Sequence, residues 1–250
     1  MTFLEAVAVF VAGMAAGTIN TIVGSGTLIT FPTLLAVGYP PVLANVSNTV
    51  GLVPGSLSGA VAYRPELAGQ RRRLTRLGIG SAAGGLTGGV LLLALPASAF
   101  RAVVPILIGL GCLLVLAQPW ISRRVSRKHD APEHGSILVW LLVFAVGVYG
   151  GYFGAAQGVL LIAVLGLGLD ETMQRVNAAK NVLALIVNAV AAALFIVFSD
   201  ISWVAAGIIA LGSTVGGQLG APLGRRLPAP VFRATVALIG LVAIARLVFE

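Results

Sequence analysis

Leu95-Pro96-Ala97-Ser98-Ala99-Phe100-Arg101-Ala102 returns 132 residues later as Leu227-Pro228-Ala229-Pro230-Val231-Phe232-Arg233-Ala234, identical at six of eight positions. The same offset carries Gly80-Ser81, Gly84-Gly85 and Gly88 onto Gly212-Ser213, Gly216-Gly217 and Gly220, and Asn45 onto Asn177. Gly17 and Gly24 meet Gly147 and Gly154 at an offset of 130, so two residues are added in the second copy between these matches. Self-similarity at a fixed spacing means that one structural unit is built twice. The chain reads as a tandem duplication.

Composition says what kind of unit is duplicated. Of 250 residues, 58% are apolar and 10% charged, and the mean hydropathy is +1.02. Soluble domains carry about a quarter charged residues, so this chain lacks the polar surface of one. Apolar stretches fall at 3–37, 42–63, 77–95, 100–118, 137–169, 176–198, 202–222 and 231–249. A crossing needs roughly 20 residues, which predicts an all-α polytopic membrane protein of about eight segments. The first and fifth stretches are too long for one crossing and are interrupted, by Gly24-Ser25-Gly26 and by Gly150-Gly151 through Gly158. Each is expected to form paired half-helices, a broken or re-entrant first element in each repeat. The division is repeat one at 1–118, a basic cytoplasmic linker at 119–136 and repeat two at 137–250.

Short cytoplasmic loops collect Lys and Arg. Arg64, Arg71, Arg72, Arg73 and Arg76 form one such loop, Arg123, Arg124, Arg127 and Lys128 a second, and Arg225 and Arg226 a third. All three share one side only if each broken stretch enters and leaves on the same face. Each four-block unit then crosses an odd number of times, and the two repeats are inverted. The N-terminus, without a basic leader or small-residue cleavage site, is read as retained. The excess of basic residues, eight net charges, belongs to topology rather than to nucleic-acid binding, and none is expected. Membrane lipid is the surrounding partner, and self-association stays open.

Residues at membrane depth bear on chemistry. All eight acids, Glu5, Glu66, Asp130, Glu133, Asp170, Glu171, Asp200 and Glu250, lie in loops or at block ends, which argues against a carboxylate-based cation or proton path. The blocks contain instead neutral and basic side chains, among them Thr21, Ser47 and Asn188, a set that suits an anion. The expected substrate site comprises Asn20, Gly24, Ser25, Gly26, Asn45, Asn48, Gly154, Gln157, Gly158, Asn177, Lys180 and Asn181. Asn45 and Asn48 share a helix face, as do Asn177 and Lys180, and both pairs follow directly on a broken block. Helix N-termini there offer N–H donors and partial positive charge. Each assignment has an alternative: Lys180, one turn from Arg175, would snorkel to the interface, and the Asn residues would bond helix to helix.

Other residues carry less. The glycines spaced by four, Gly51/Gly55/Gly59, Gly80/Gly84/Gly88 and Gly212/Gly216/Gly220, read as close-packing faces. Arg101 and Arg233 read as interface anchors, and Trp120, Trp140 and Trp203 as belt residues. Cys112 is the single cysteine. His129 and His134 sit in a charged loop with no zinc pattern. No Ser/His/Asp or Cys/His set occurs at depth, so neither an enzyme nor a cofactor is expected.

The run from Ala16-Gly17-Thr18-Ile19-Asn20-Thr21 through Gly24-Ser25-Gly26 to Phe31-Pro32, then Gly38-Tyr39-Pro40-Pro41 and Ala44-Asn45-Val46-Ser47-Asn48, resembles the first-half signature of the sulfite exporter TauE/SafE family. Gly147 to Gly158 and Val176-Asn177-Ala178-Ala179-Lys180-Asn181 resemble its second half, with Gly154-Ala155-Ala156-Gln157-Gly158 in place of the family's usual Gly-rich turn. The resemblance implies a multi-pass permease of the bacterial inner membrane that exports sulfite or an organosulfonate. A passive anion channel or a membrane assembly factor without transport are the alternatives.

Overall fold

The computed structural model describes residues 1–125 and 135–224. Among these there are nine α-helices and no strand. They are α1 (Phe3–Ile22), α2 (Thr27–Ala36), α3 (Pro41–Ala62), α4 (Arg71–Ala94), α5 (Ala97–Val125), α6 (Ile137–Tyr152), α7 (Gln157–Gly168), α8 (Met173–Phe198) and α9 (Trp203–Gly224), with a 3-10 turn at Arg64–Leu67. Five of them, α1, α4, α5, α8 and α9, are long and apolar enough to cross a membrane. The expected block at 231–249, Arg225, Arg226 and Arg233, and the loop with Arg127, Lys128, His129 and His134 lie outside the described residues.

Local chemistry sets the ends. At α1 the Thr2 hydroxyl accepts from Glu5 N–H at 3.3 Å while the Glu5 carboxylate accepts from Thr2 N–H at 2.7 Å, a reciprocal cap. Helix α1 stops at Gly24 and α6 at Gly154, whose φ values of 87° and 76° are open to glycine without a Cβ penalty. In both cases one carbonyl, Ile19 O or Tyr149 O, takes two N–H groups as the helix unwinds. The breaks therefore fall where the glycines predict. Their arms are unequal, however: α1 has 20 residues and α2 has 10. At 1.5 Å per residue α1 spans about 30 Å, a full bilayer core rather than half of one.

Two further boundaries differ from the apolar blocks. Helix α4 begins at Arg71, not 77, and α5 continues to Val125, so the division at 118 falls inside a helix. A helix needs apolar residues only where lipid or core touches it, and polar turns extend it into the loops.

The halves pack reciprocally. The most extensive helix pairings are α1 on α9 and α4 on α6, each the first helix of one half against the fourth of the other. A methyl at Gly212, Gly216 or Gly220 would meet the carbonyls of Phe10, Met14 and Thr18, and one at Gly80, Gly84 or Gly88 would meet Trp140, Phe144 and Val148. These are the same contacts displaced by the repeat offset, so the four-residue glycine spacing does build close-packing faces. Both pairs run parallel. The outer surface is apolar: Ile79, Leu86, Ile106, Leu113, Val204 and Leu211 are exposed, as a lipid-facing belt requires. Trp120 and Trp203 are exposed at helix ends. Trp140 instead stacks on Phe144 and donates to Arg76 O at 3.1 Å, anchoring α6 to α4.

Polar contacts tie the connections together. The guanidinium of Arg76 donates to Gly135 O at 2.9 Å, just before α6, and Arg73 pairs with Glu171 at 2.8 Å, just after α7. Both ends of the α6–α7 unit thus meet the first turns of α4. In the other half, Ser202 before α9 donates to the Tyr39 hydroxyl after α2 at 3.1 Å, and α1 runs parallel to α9 with Phe10 beside Gly212.

Glu171 also accepts from Arg175 at 2.6 Å. Burial alone raises its carboxyl pKa, but the hydrogen bonds and charges of Arg175 and Arg73 outweigh it and hold the pKa below the usual carboxylate value. A depressed carboxyl pKa contributes stability above the unfolded value and loses it as pH falls through the folded one. Glu171→Gln is therefore expected to lower the melting temperature at neutral pH, with the difference from wild type shrinking as the sample is acidified. A pH series of melting curves checks this, and a constant difference would show that the ion pair is not its source.

Candidate functional site

The two breaks cross each other. Gly158 N–H donates to Gly24 O at 3.0 Å, and a Cβ on either glycine would fall on the other's Cα. Such backbone-on-backbone approach at membrane depth requires that polar groups be covered by protein or a cavity. Lys180 comes from α8 beside this crossing. It is 0% exposed, its stem runs past Gly158, and its ammonium donates to Asn20 O at 2.8 Å and Thr21 O at 3.3 Å. Snorkelling is thereby corrected: the side chain turns inward because the last carbonyls of α1 lack helical donors and carry the negative end of its dipole.

Asn177 and Asn181 add their amides to Thr21 O, at 3.1 and 3.4 Å. Asn45, the repeat mate of Asn177, does the same for α6, donating to Tyr152 O at 3.0 Å. These two amides bond helix to helix, while the side-chain oxygens of Asn45, Asn48 and Asn177 remain buried without a partner.

The halves differ at the breaks. Asn20 reaches across the first one and accepts from Gly26 N–H at 2.6 Å. Its counterpart in the second half is Gly150, and the space so opened is filled by the carboxamide of Gln157, which a methyl at Gly150 would strike. Gln157 thus fits the missing side chain at 150 as well as the altered glycine turn. It is 4% exposed, and its Nε2 has no partner.

Between these elements lies a cavity of about 30 Å³. The first break contributes Asn20, Thr21, Gly24 and Thr27, the second Gly154, Gln157 and Gly158. Helix α8 adds Lys180, Asn181, Ala184 and Asn188, and α3 adds Ser56. No carboxylate is among them. Asn188 donates to Ser56 Oγ at 3.1 Å, and these two positions are 132 apart, so repeat mates meet each other across the cavity. Seven of the sequence-predicted residues line it: Asn20, Gly24, Gly154, Gln157, Gly158, Lys180 and Asn181. Ser25, Gly26, Asn45, Asn48 and Asn177 do not. Ser25 is buried with an unpartnered hydroxyl, and Gly26 is held by Asn20. Sequence reasoning omitted Thr21, Thr27, Ser56 and Asn188 from the site; the offset of 132 relating Ser56 to Asn188 was a signal for that pair. Cys112 is buried and free, and among the described residues no group of His, Cys, Asp or Glu is placed to hold a metal.

Fold and site together define a multi-pass helical membrane protein with a small polar, cationic chamber between two crossed breaks. The chain belongs to the sulfite exporter TauE/SafE family, whose sequence profile matches residues 9–247. It is 26% identical over 243 residues to a probable membrane transporter protein of Haemophilus influenzae, covering 96% of this chain and 93% of that one. It is 24% identical over 252 residues to the probable membrane transporter protein YfcA of Escherichia coli K12, covering 96% and 88%. A probable membrane transporter protein, ORF9, of a Sinorhizobium species matches at 24% over 252 residues, covering 96% and 91%. The protein is a membrane transporter of the TauE/SafE type and not an enzyme.

Proposed function

We propose that this protein exports a small sulfur-containing anion, sulfite or an organosulfonate, across the bacterial inner membrane, binding it in the chamber between the breaks. The observation that carries the reading is Lys180, a fully buried ammonium facing a chamber whose other polar members, Asn20, Gln157, Asn181, Asn188 and Ser56, are neutral. Burying a lysine near a helix centre costs about 2.5–3.5 kcal/mol on insertion scales, and a bound anion offsets that cost. The amide of Gln157, whose Nε2 has no partner, supplies a neutral donor in the same chamber. At about 30 Å³ the chamber has room for a single water. A sulfur oxyanion needs more, so the breaks must separate for the anion to enter and leave.

The inverted-repeat plan supplies that motion. Both ends of the α6–α7 unit meet the start of α4 through Gly135 and Glu171, which supports a re-entrant unit opening on the basic, cytoplasmic side. Tyr39 meets the start of α9 and α1 runs parallel to α9, which supports the opposite orientation for the first half. Rocking of the halves about the Gly24–Gly158 crossing exposes the chamber alternately to each side. With no acid in the chamber, the membrane potential drives the anion outward at about 2.3 kcal/mol per charge per 100 mV.

The test is flux into proteoliposomes of purified protein, comparing sulfite, thiosulfate, sulfoacetate and taurine. Saturable flux of a sulfur anion is expected, whereas folded protein that moves none of the four overturns the assignment. Flux that stays linear in substrate would identify a channel.

A further inference from the structure

We propose that the first half holds a monovalent metal cation, between the Asn45/Asn48 face of α3 and the C-terminal end of α6, where the second half uses the ammonium of Lys180. The proposal rests on the repeat and does not depend on which anion is carried. Lys180 and Asn48 occupy equivalent positions, 132 residues apart, as do Asn177 and Asn45. In the second half Asn177 donates to the end of α1, at Thr21 O, and the Lys180 ammonium sits on the same carbonyl at 3.3 Å and on Asn20 O at 2.8 Å. The first half repeats the frame: Asn45 donates to the end of α6, at Tyr152 O, at 3.0 Å. There the next member of the face is Asn48, which brings an oxygen but no positive charge.

That oxygen points to a ligand. Asn48 and Asn45 are each 1% exposed, and the side-chain oxygen of each is buried without a hydrogen-bond partner. Leaving such an acceptor unmet costs about 1–3 kcal/mol apiece. Asn177 keeps an unmet oxygen, as Asn45 does here, although it shares a carbonyl with Lys180, so the halves differ at Asn48, whose orphaned oxygen, on the face that Asn45 bonds to the end of α6, is an acceptor for a hard cation. Helix C-terminal ends and unwound carbonyls hold sodium in other inverted-repeat transporters. With neutral ligands only, a monovalent ion suits the site, because a divalent charge would stay uncompensated in a buried setting. The two halves would then each present one positive charge to the crossed breaks, one covalently tethered and one exchangeable. An exchangeable charge at the end of α6, where Asn45 meets Tyr152 O just before the second break, gives the anion chamber a cation on which its affinity depends.

Sodium is the probe, and no anion substrate is added, so failure here is separate from failure of the flux reading. Full-length protein in nanodiscs is assayed for radiolabelled sodium binding and for melting in equal concentrations of NaCl, KCl or choline chloride. Saturable binding is expected, with a melting temperature in NaCl higher than in choline chloride by on the order of 5 °C. Asn48→Ala loses both effects. Asn48→Lys melts at the sodium-loaded temperature in all three salts, because the tethered ammonium takes the ion's place. Potassium acting in place of sodium would equally support the site. Wild type that binds neither ion, or sodium binding that survives undiminished in both Asn48 variants, overturns the proposal.

Discussion

Lys180→Met is expected to reduce anion flux by about 10- to 100-fold while leaving the protein folded. The two halves of that statement have separate physical grounds. Methionine keeps the length of the stem that runs past Gly158 but removes the positive charge from the chamber. A hydrogen bond to a charged group contributes about 1.5–3 kcal/mol; two of the ammonium's three N–H groups are on Asn20 O and Thr21 O, so the anion loses one such bond, about one to two decades of rate at about 1.36 kcal/mol per decade. Stability moves little because two effects oppose each other. Asn20 O loses its Lys180 donor, although Thr21 O keeps Asn177 and Asn181, and an unmet buried carbonyl costs about 1–3 kcal/mol. Against this, the burial cost of the ammonium, about 2.5–3.5 kcal/mol, disappears. Flux and melting temperature measured on the same preparation separate the effects. If Lys180→Met transports at the wild-type rate, the chamber is not the anion site and Lys180 is left with the single task of capping α1.

Gly24→Ala is expected to be among the most damaging substitutions in the chain, and two companions show why. At Gly38, φ is 97° with nothing within 4 Å of an added methyl, so alanine meets backbone strain alone, about 1–2 kcal/mol. Gly158 has no positive φ, but a methyl there would fall on the Cα of Gly24, so alanine meets the clash alone. Gly24 has φ of 87° and a methyl would fall on the Cα of Gly158, so it incurs both. Backbone on one side and backbone on the other leave no flexible side chain to yield, and losses above about 4 kcal/mol are expected where neither surface gives. Yield of folded protein and melting temperature should rank Gly38→Ala above Gly158→Ala, with Gly24→Ala last. A Gly158→Ala protein as stable as Gly38→Ala would mean that the breaks do not touch.

Several features at the site were legible because they rest on local rules. Gly24-Ser25-Gly26 and Gly154 announced the two breaks, since glycine's freedom at positive φ is a property of the residue itself. Glycines four apart announced packing faces, since the spacing fixes which side of a helix they share. The unequal arms of the first break were not legible, because α1 and α2 are both apolar and apolarity says nothing of depth. Gln157 was legible as a departure from the family's pattern, but not as the partner of Gly150. That pairing exists only once the break folds the chain back on itself and places position 157 over position 150.

What the sequence alone determined is the class of the molecule and its duplication: apolar length forces helices in lipid, and the offsets reveal two copies. Tertiary structure decided where charge and hydrogen bonds go. Lys180 and Arg175 lie five residues apart on α8, yet one is buried on the carbonyls of Asn20 and Thr21 and the other pairs with Glu171. Helical periodicity assigns a side chain to a face, but its electrostatic partner is set by the helix packed against that face. For Lys180 that partner is the end of α1, about 160 residues away in sequence, a distance over which no local pattern carries information.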